Sequence, residues 1–332
     1  MKHIRLGRTG LRVSRLCMGT MTFGLQCDEP TSFAILDAAE AAGIDFLDTA
    51  DVYPLGGGLS TVGRTEEIVG KWLAARAGRR DDVVLATKCV GAMGRKPWQQ
   101  GASRRHILDA VEASLRRLGT DYVDLYQMHS FDPTVTQDET LSALDDLVRS
   151  GKVRHIGCSN YMAYQLARAI GRSEALGLVR YECVQPRYNL LYRNAEREIY
   201  PLCLDDGVGV IPFNPLAGGF LSGKHKAGEP PPEGRFTLGT AASNYQNRYW
   251  HDREFATVEA LRPLAAEAGI SMAQMAVAWT LAHPAVTSPI IGASRPEQLA
   301  DCVAAADAPL DADLLKALDE LTADYVLHPA TR

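Results

Sequence analysis

The sequence predicts an α/β fold, a (β/α)8 barrel (TIM barrel) with an N-terminal β-hairpin and an extra C-terminal helix. Three observations carry that prediction. Short apolar, β-leaning runs recur eight times along the 332 residues, with longer helical patterns between them. Alternating strands and helices imply parallel strands, because parallel neighbours need a crossover connection. Eight such units in ~250–300 residues match the repeat count and size of a closed barrel. The competing doubly wound sheet, in its dinucleotide-binding form, should carry GxGxxG after an early strand. That pattern occurs nowhere in the chain.

In chain order the runs are SRLCMGTM (14–21), IDFLDTA (44–50), VVLATKC (83–89) and VDLYQMHS (123–130). They continue with VRHIGCSN (153–160), ECVQPRYN (182–189), VGVIPFNP (208–215) and TSPIIGAS (287–294). Between them, TSFAILDAAEAAG and SRRHILDAVEASLRRLG each end on a glycine suited to a helix C′ position. In the second, Ile107, Leu108, Val111, Leu115 and Leu118 fall near the i, i+3, i+4, i+7 spacing of one helix face. Residues 2–13 read as a hairpin turning at Arg8–Gly10 and plugging the N-terminal end of the barrel. Residues 224–255 are too long and too rich in Pro and Gly for a simple connection. Their aromatics, Phe236, Tyr245, Tyr249 and Trp250, favour packing or covering a substrate. The run DADLLKALDELTADYV reads as the extra amphipathic helix, and residues 1–332 as one domain.

Composition narrows the function. The chain is 46% hydrophobic and 23% charged, with a formal net charge of −5 and a pI near 5.9. No basic footprint for nucleic acid is present. No apolar run approaches the ~18–20 residues of a membrane span, and the first residues lack the h-region of a leader. Seven cysteines, at 17, 27, 89, 158, 183, 203 and 302, form no CxxC pair. Such a scattered set suits reduced thiols and a cytoplasmic protein.

In a barrel of this kind chemistry sits at the C-terminal ends of the strands. Strand two ends on Asp48, strand three on Lys88 and strand four on His129; Tyr53 follows Asp48 by five residues. Taken singly, each has an ordinary explanation as a solvated, capping or satisfied residue. Together, on consecutive strands converging at one mouth, they describe an acid–base device. A buried carboxylate costs several kcal/mol without a partner, and Lys88 supplies one. A nearby ammonium stabilises the Tyr53 phenolate and should lower its pKa from ~10. A tyrosine so tuned serves as a general acid, with His129 orienting a carbonyl oxygen. The eight histidines show no HxxxH or HExxH and no zinc-type Cys/His spacing. The electron pair is then expected from an organic hydride donor.

These residues resemble the aldo-keto reductase superfamily. GIDFLDTADVY, the lysine of LATK, the histidine of LYQMHS, IGCSN, VQPRYN, IPFNPLAGGFLSGK and IIGASRPEQL match its blocks in order, over roughly residues 3–325. The resemblance implies a barrel that reduces aldehydes and ketones with NADPH, with a tetrad of Asp48, Tyr53 as proton donor, Lys88 and His129. It implies that Ser159, Asn160 and Gln185 hold the nicotinamide carboxamide and that Phe213 stacks on its ring. Leu216 to Gly218 would contact the pyrophosphate. Gly292, Ser294, Arg295 and Gln298 would clamp the adenosine 2′-phosphate, a site where a planar guanidinium suits phosphate oxygens. Cys302 departs from the pattern, standing where many members place an asparagine toward the adenine. Phe23, Trp98 and Trp250 are candidate walls for a small-molecule carbonyl substrate, and DVYPLGGGLSTVGRTEEIVGKWL (51–73) and the long loop with YQNRYW (245–250) resemble bacterial members acting on sugars or deoxysugars.

Three other readings have named features. GGFLSGKH (218–225) nearly matches the phosphate loop GxxxxGK[ST], but His225 replaces the magnesium-binding hydroxyl. Lys88 as a Schiff-base amine would need a lowered pKa, whereas Asp48 raises it. The superfamily also includes potassium-channel β subunits, which keep the cofactor site while acting as interaction modules.

Overall fold

The chain opens with an antiparallel hairpin, β1 (His3–Arg5) and β2 (Arg12–Ser14), in a computed structural model that describes residues 1–326. Residues 327–332, the end of the expected domain range, lie outside the described residues. The hairpin contributes Leu6 and Val13 to a small apolar cluster with Cys17, Phe46, Ala86, Leu125, Cys183 and Ile211. Those are barrel-interior positions of successive strands, so the hairpin closes the barrel floor.

The barrel strands are β3 (Cys17–Gly19), β4 (Phe46–Asp48), β5 (Val84–Cys89) and β6 (Val123–Met128), then β7 (Val153–Ser159), β8 (Tyr181–Gln185), β9 (Gly209–Val210) and β10 (Ile290–Ile291). They form one parallel sheet in the order β10-β3-β4-β5-β6-β7-β8-β9. Parallel bridges Val210–Val286 and Phe213–Ile290 join the first and last strands and close the cylinder. All eight expected strands are present, several shorter than their apolar runs. The runs continue past the last ladder bonds, where the chain turns into the loops of the mouth.

Helices α1 (Glu29–Ala41), α2 (Arg64–Ala74), α3 (Arg104–Leu118), α4 (Gln137–Arg149), α5 (Ala163–Leu176) and α6 (Ile199–Asp206) follow β3 to β8 in turn. Their apolar faces meet the outer face of the sheet in a single large core. Side-chain caps fix where several begin: Asp28, Ser103 and Thr136 accept from backbone N–H groups in the first turns of α1, α3 and α4. α3 stops at Gly119, whose φ of 64° is the left-handed conformation the sequence assigns to that glycine.

Residues 224–255 are not one irregular loop. Two single 3-10 turns (Arg235–Thr237 and Gly239–Ala241) lead into α7 (Ala242–Tyr249), and α8 (Asp252–Glu267) begins just after. Phe236, Tyr245 and Tyr249 are buried. The segment forms a strap across the mouth: Thr240 N donates to Gly56 O at 3.3 Å, beyond β4, and an Arg235 nitrogen lies 3.4 Å from Met21 Sδ, beyond β3. The chain returns through α9 (Met272–Ala282) to β10, then α10 (Leu299–Asp307) and the expected extra helix α11 (Ala312–Leu321), capped by Asp311. Among the described residues no helix is long and apolar enough to cross a membrane.

Candidate active site

Inward-facing polar residues from four strands meet just below the mouth. Asp48 ends β4 and is 3% exposed; Lys88, from β5, is wholly buried. Lys88 Nζ donates to Asp48 Oδ2 at 2.5 Å and to Thr49 O at 2.8 Å. The other carboxylate oxygen accepts from Gln127 Nε2 at 2.9 Å and Gln185 Nε2 at 3.0 Å. The buried carboxylate is thereby fully engaged, which removes the desolvation cost of leaving it alone. Gln127 is absent from the sequence-based site. Its signal is parity: it stands two residues before His129, on the same side of β6.

Burial alone would lower the Lys88 pKa, but Asp48 and then Tyr53 overcome it and hold it above the usual ammonium value. Lys88 is charged. Its Nζ lies 5.1 Å from the Tyr53 ring centroid, and the His129 ring meets Tyr53 edge-on at 5.7 Å and 81°. The three groups that sequence placed together are therefore together. The direction of the tyrosine's shift is not as expected: Tyr53 is raised above its ordinary value. Burial penalises the phenolate most; Lys88 pulls the other way, but its partner Asp48 cancels part of that pull. Tyr53 accordingly rests as a protonated phenol. His129 is pushed down to about 3, by burial first and by Lys88 second, so it stands as a neutral imidazole. Its backbone N–H is fixed to Cys89 O at 2.9 Å.

Beyond β7, Asn160 takes a left-handed φ of 57°, and its Nδ2 donates to His129 O at 2.9 Å and Ser159 Oγ at 3.0 Å. Ser159 Oγ donates to Gln185 O at 2.8 Å. The amide oxygens of Asn160 and Gln185 accept no hydrogen bond among the described residues. Phe213 stands half-buried past β9, bridged to Arg187 on one side and Ile290 on the other. After it the backbone runs left-handed at Asn214, Ala217, Gly218 and Gly219, and Gly218 N donates to Asn214 Oδ1 at 2.5 Å. Leu216 is half-buried within this turn.

Past β10, Gly292 is exposed, and the Ser294 N–H and Oγ–H both donate to Gln298 Oε1, at 2.8 and 3.2 Å. Arg295 is exposed. Lys224 lies within its field: burial first, then Arg295, lower the Lys224 pKa. Lys224 and Arg235 add cations to this side of the mouth that sequence reading left out, although Lys224 lay inside the quoted GGFLSGKH.

The remaining candidates are placed differently. Phe23 is fully buried, its backbone oxygen held by Thr65 Oγ1, and has no surface to offer a substrate. Trp98 is 44% exposed beneath the Arg105 guanidinium, 4.8 Å from its ring centroid. Trp250 packs in an aromatic cluster with Phe220, His225, Phe236 and Phe255 at the root of the strap. Cys302 is buried in α10 with its thiol pushed up to about 12, so it presents no polar edge to a ligand.

The arrangement offers a proton donor beside a fixed cation and a neutral imidazole, next to a mouth lined by amides, an aromatic ring and phosphate-compatible cations. The sequence profile of the Aldo/keto reductase family matches residues 15–323. The chain is 40% identical to the uncharacterized oxidoreductase YrpG of Bacillus subtilis (strain 168), covering 97% of this chain and 96% of that one. It is 38% identical to a probable voltage-gated potassium channel subunit beta of Oryza sativa subsp. japonica, covering 92% of each. It is 34% identical to the versiconal hemiacetal acetate reductase of Aspergillus parasiticus, covering 100% of each. The chain belongs to the Aldo/keto reductase family.

Proposed function

We propose that the protein reduces an aldehyde or ketone, with sugars and deoxyketosugars among the candidate substrates, to the alcohol, with NADPH as hydride donor and Tyr53 as proton donor. One observation carries this reading: a protonated Tyr53 packed against a charged Lys88 that Asp48 holds in place.

The donor set fits the cofactor. A carboxamide needs acceptors for its NH2, and Asn160 and Gln185 have amide oxygens that accept nothing from the described residues. Phe213 supplies an aromatic face. The left-handed turn over Ala217 to Gly219 suits a diphosphate, because successive N–H groups in such turns form an anion-binding concavity. Ser294 and Arg295, with Lys224 near, suit a ribose 2′-phosphate and support NADPH over NADH. When bound, the reduced nicotinamide supplies the hydride.

The chain's own residues supply the rest. Neutral His129 donates a hydrogen bond to the carbonyl oxygen and sets its direction. Tyr53 Oη gives its proton to that oxygen as negative charge develops there. The phenolate left behind forms beside the Lys88 ammonium, which cannot drift away because Asp48 and Thr49 O hold it. Gln127 and Gln185 keep Asp48 from turning toward the substrate. The high resting pKa of Tyr53 keeps the donor loaded at neutral pH.

The test follows NADPH consumption at 340 nm across aldehydes, ketoses and deoxyketosugars, with NADPH and NADH titrated by protein fluorescence. Tyr53→Phe should lose about 10²–10⁴ in kcat, the range for one general acid, while NADPH affinity stays within about twofold. Wild-type turnover in that variant would remove Tyr53 from the mechanism. Tight NADPH binding without turnover on any carbonyl would favour a binding module of the channel-subunit kind.

A further inference from the structure

The mouth carries two arginines that no described residue neutralises. Arg187 stands two residues beyond Gln185 on the line of β8 and bridges to Phe213. Alternation puts residues i and i+2 on one face, ~7 Å apart along the strand. Gln185 points inward, since it reaches Asp48 across the axis at 3.0 Å. Arg187 therefore stands one layer higher on the same inward face, across the barrel from the Tyr53 side. Its guanidinium carbon lies 3.4 Å from the centroid of the Tyr192 ring, a stack that fixes the plane of the fork. Arg248 of α7 lies nearby, 5.9 Å from the Tyr245 ring centroid. Both charges act on the Tyr249 hydroxyl, which accepts from Asn189 and Asn214 beside Phe213.

Both arginines are half-buried, and neither donates a hydrogen bond or forms an ion pair among the described residues. This is not the habit of the chain. Arg80 pairs with Asp124 at 2.8 Å, Arg117 with Glu66 at 2.7 Å and Arg193 with Glu196 at 2.8 Å. A sequence of net charge −5 has carboxylates to spare. Withholding them from a partly desolvated guanidinium leaves a charge that a ligand can satisfy. The cofactor's phosphate positions lie elsewhere, at the turn after Phe213 and at Ser294–Arg295, whereas Arg187 is flanked by Gln185 and Phe213 at the nicotinamide end.

We propose that Arg187, supported by Arg248, is an anion subsite for the substrate: the carbonyl compound carries a second, oxyanionic group, a carboxylate or a phosphate ester, that Arg187 holds while the carbonyl faces Tyr53. This rests on the reductase reading above and narrows its substrate class. A planar guanidinium held by a stack grips such groups with two parallel hydrogen bonds.

Two substrate pairs test it. 4-Carboxybenzaldehyde is compared with methyl 4-formylbenzoate, and glyceraldehyde 3-phosphate with glyceraldehyde, on wild type and Arg187→Met. Wild type should favour one anionic member by about 10–100-fold in kcat/KM, as expected for hydrogen bonds to a charged group. Which pair shows the preference tells carboxylate from phosphate. Arg187→Met should lose that preference through KM, with the neutral partner and NADPH affinity unchanged. Equal rates on charged and neutral members in wild type, or an equal loss on both in the variant, would overturn the subsite. So would weakened NADPH binding in Arg187→Met, which would give the cation to the cofactor. Calorimetric binding of the two anionic aldehydes, with and without NADP+, reads the same contrast without turnover. Tighter binding by wild type there, with no reduction, would uphold the subsite while the reductase reading falls; equal binding by both proteins would overturn it.

Discussion

At the scale of single residues, two buried carboxyl groups three positions apart meet opposite fates. Asp48 accepts from Lys88, Gln127 and Gln185. Asp51 is fully buried, and neither of its oxygens is paired with a side chain among the described residues. Burial first, and the charge of neighbouring Glu66 second, push its pKa well above the carboxylate range. Arg117, whose guanidinium pairs with Glu66 at 2.7 Å, pulls it down but does not overcome these two causes. Asp51 is thus held as the neutral acid. Its folded pKa lies above the unfolded ~3.9, so its contribution to stability is whole below that value and is lost as pH climbs toward the folded one. Asp51→Asn, neutral at every pH, should therefore stabilise more at pH 8 than at pH 5, by up to about 1.4 kcal/mol per pH unit. Thermal unfolding of both proteins at the two pH values measures this; a pH-independent difference would mean that Asp51 is ionised in the native state. The meeting of Asp48, Tyr53, Lys88 and His129 at one mouth was legible in the sequence because each of them ends or follows an apolar run. The states of these groups were not: the rise in Tyr53 and Asp51 comes from neighbours and burial that no local pattern records.

At the scale of elements, the eight strands were readable because each apolar run breaks off in a polar residue at the mouth. The strap was not. α7 has no side-chain cap at its start, and only Tyr245 and Tyr249, one turn apart, are buried along it. Its order comes from packing against the Arg235–Thr237 and Gly239–Ala241 turns before it and against the turn after β9. Gly218 sits at that junction with φ 72°, and a Cβ there would lie 2.5 Å from Tyr245 Cδ1. Gly218→Val should impose about 1–2 kcal/mol of left-handed strain, displace Tyr245 and weaken NADPH binding about tenfold or more. Gly228→Val is the control: its φ is 80°, but nothing lies within 4 Å of the added carbon. It should share the backbone penalty and leave NADPH affinity unchanged. Equal NADPH affinity in the two variants would refute a link between this turn and the cofactor.

At the scale of the whole molecule, the histidines oppose Asp51. Of eight, five are held below their ordinary value, with burial the largest cause for each: His106, His129, His155, His225 and His283. A base with a depressed folded pKa stays neutral in the native state while the unfolded chain takes up protons below ~6.5. The unfolded state then binds more protons, so stability falls as pH drops from about 6.5 toward the folded values. Asp51 lowers stability as pH rises, also across that window and beyond it, but one carboxyl is outweighed there by several histidines. Stability should thus peak near pH 6–7, with an acid limb set by the histidines. His225 isolates the cause. It is 5% exposed, neither ring nitrogen has a hydrogen-bond partner among the described residues, and its pKa is pushed down to about 4 by burial and by Lys224. Phe220, Phe236 and Trp250 surround it with ring centroids at 5.8, 5.1 and 5.0 Å. A phenyl ring can take that space without giving up a hydrogen bond. Urea unfolding of His225→Phe should match or slightly exceed wild type at pH 7.5 and exceed it further at pH 5, by about 2 kcal/mol, the effect of 1.5 pH units below the unfolded pKa. The strap's root would then hold against acid that loosens the natural one. An acid limb as steep in the variant as in wild type would show that His225 already carries its proton in the folded protein.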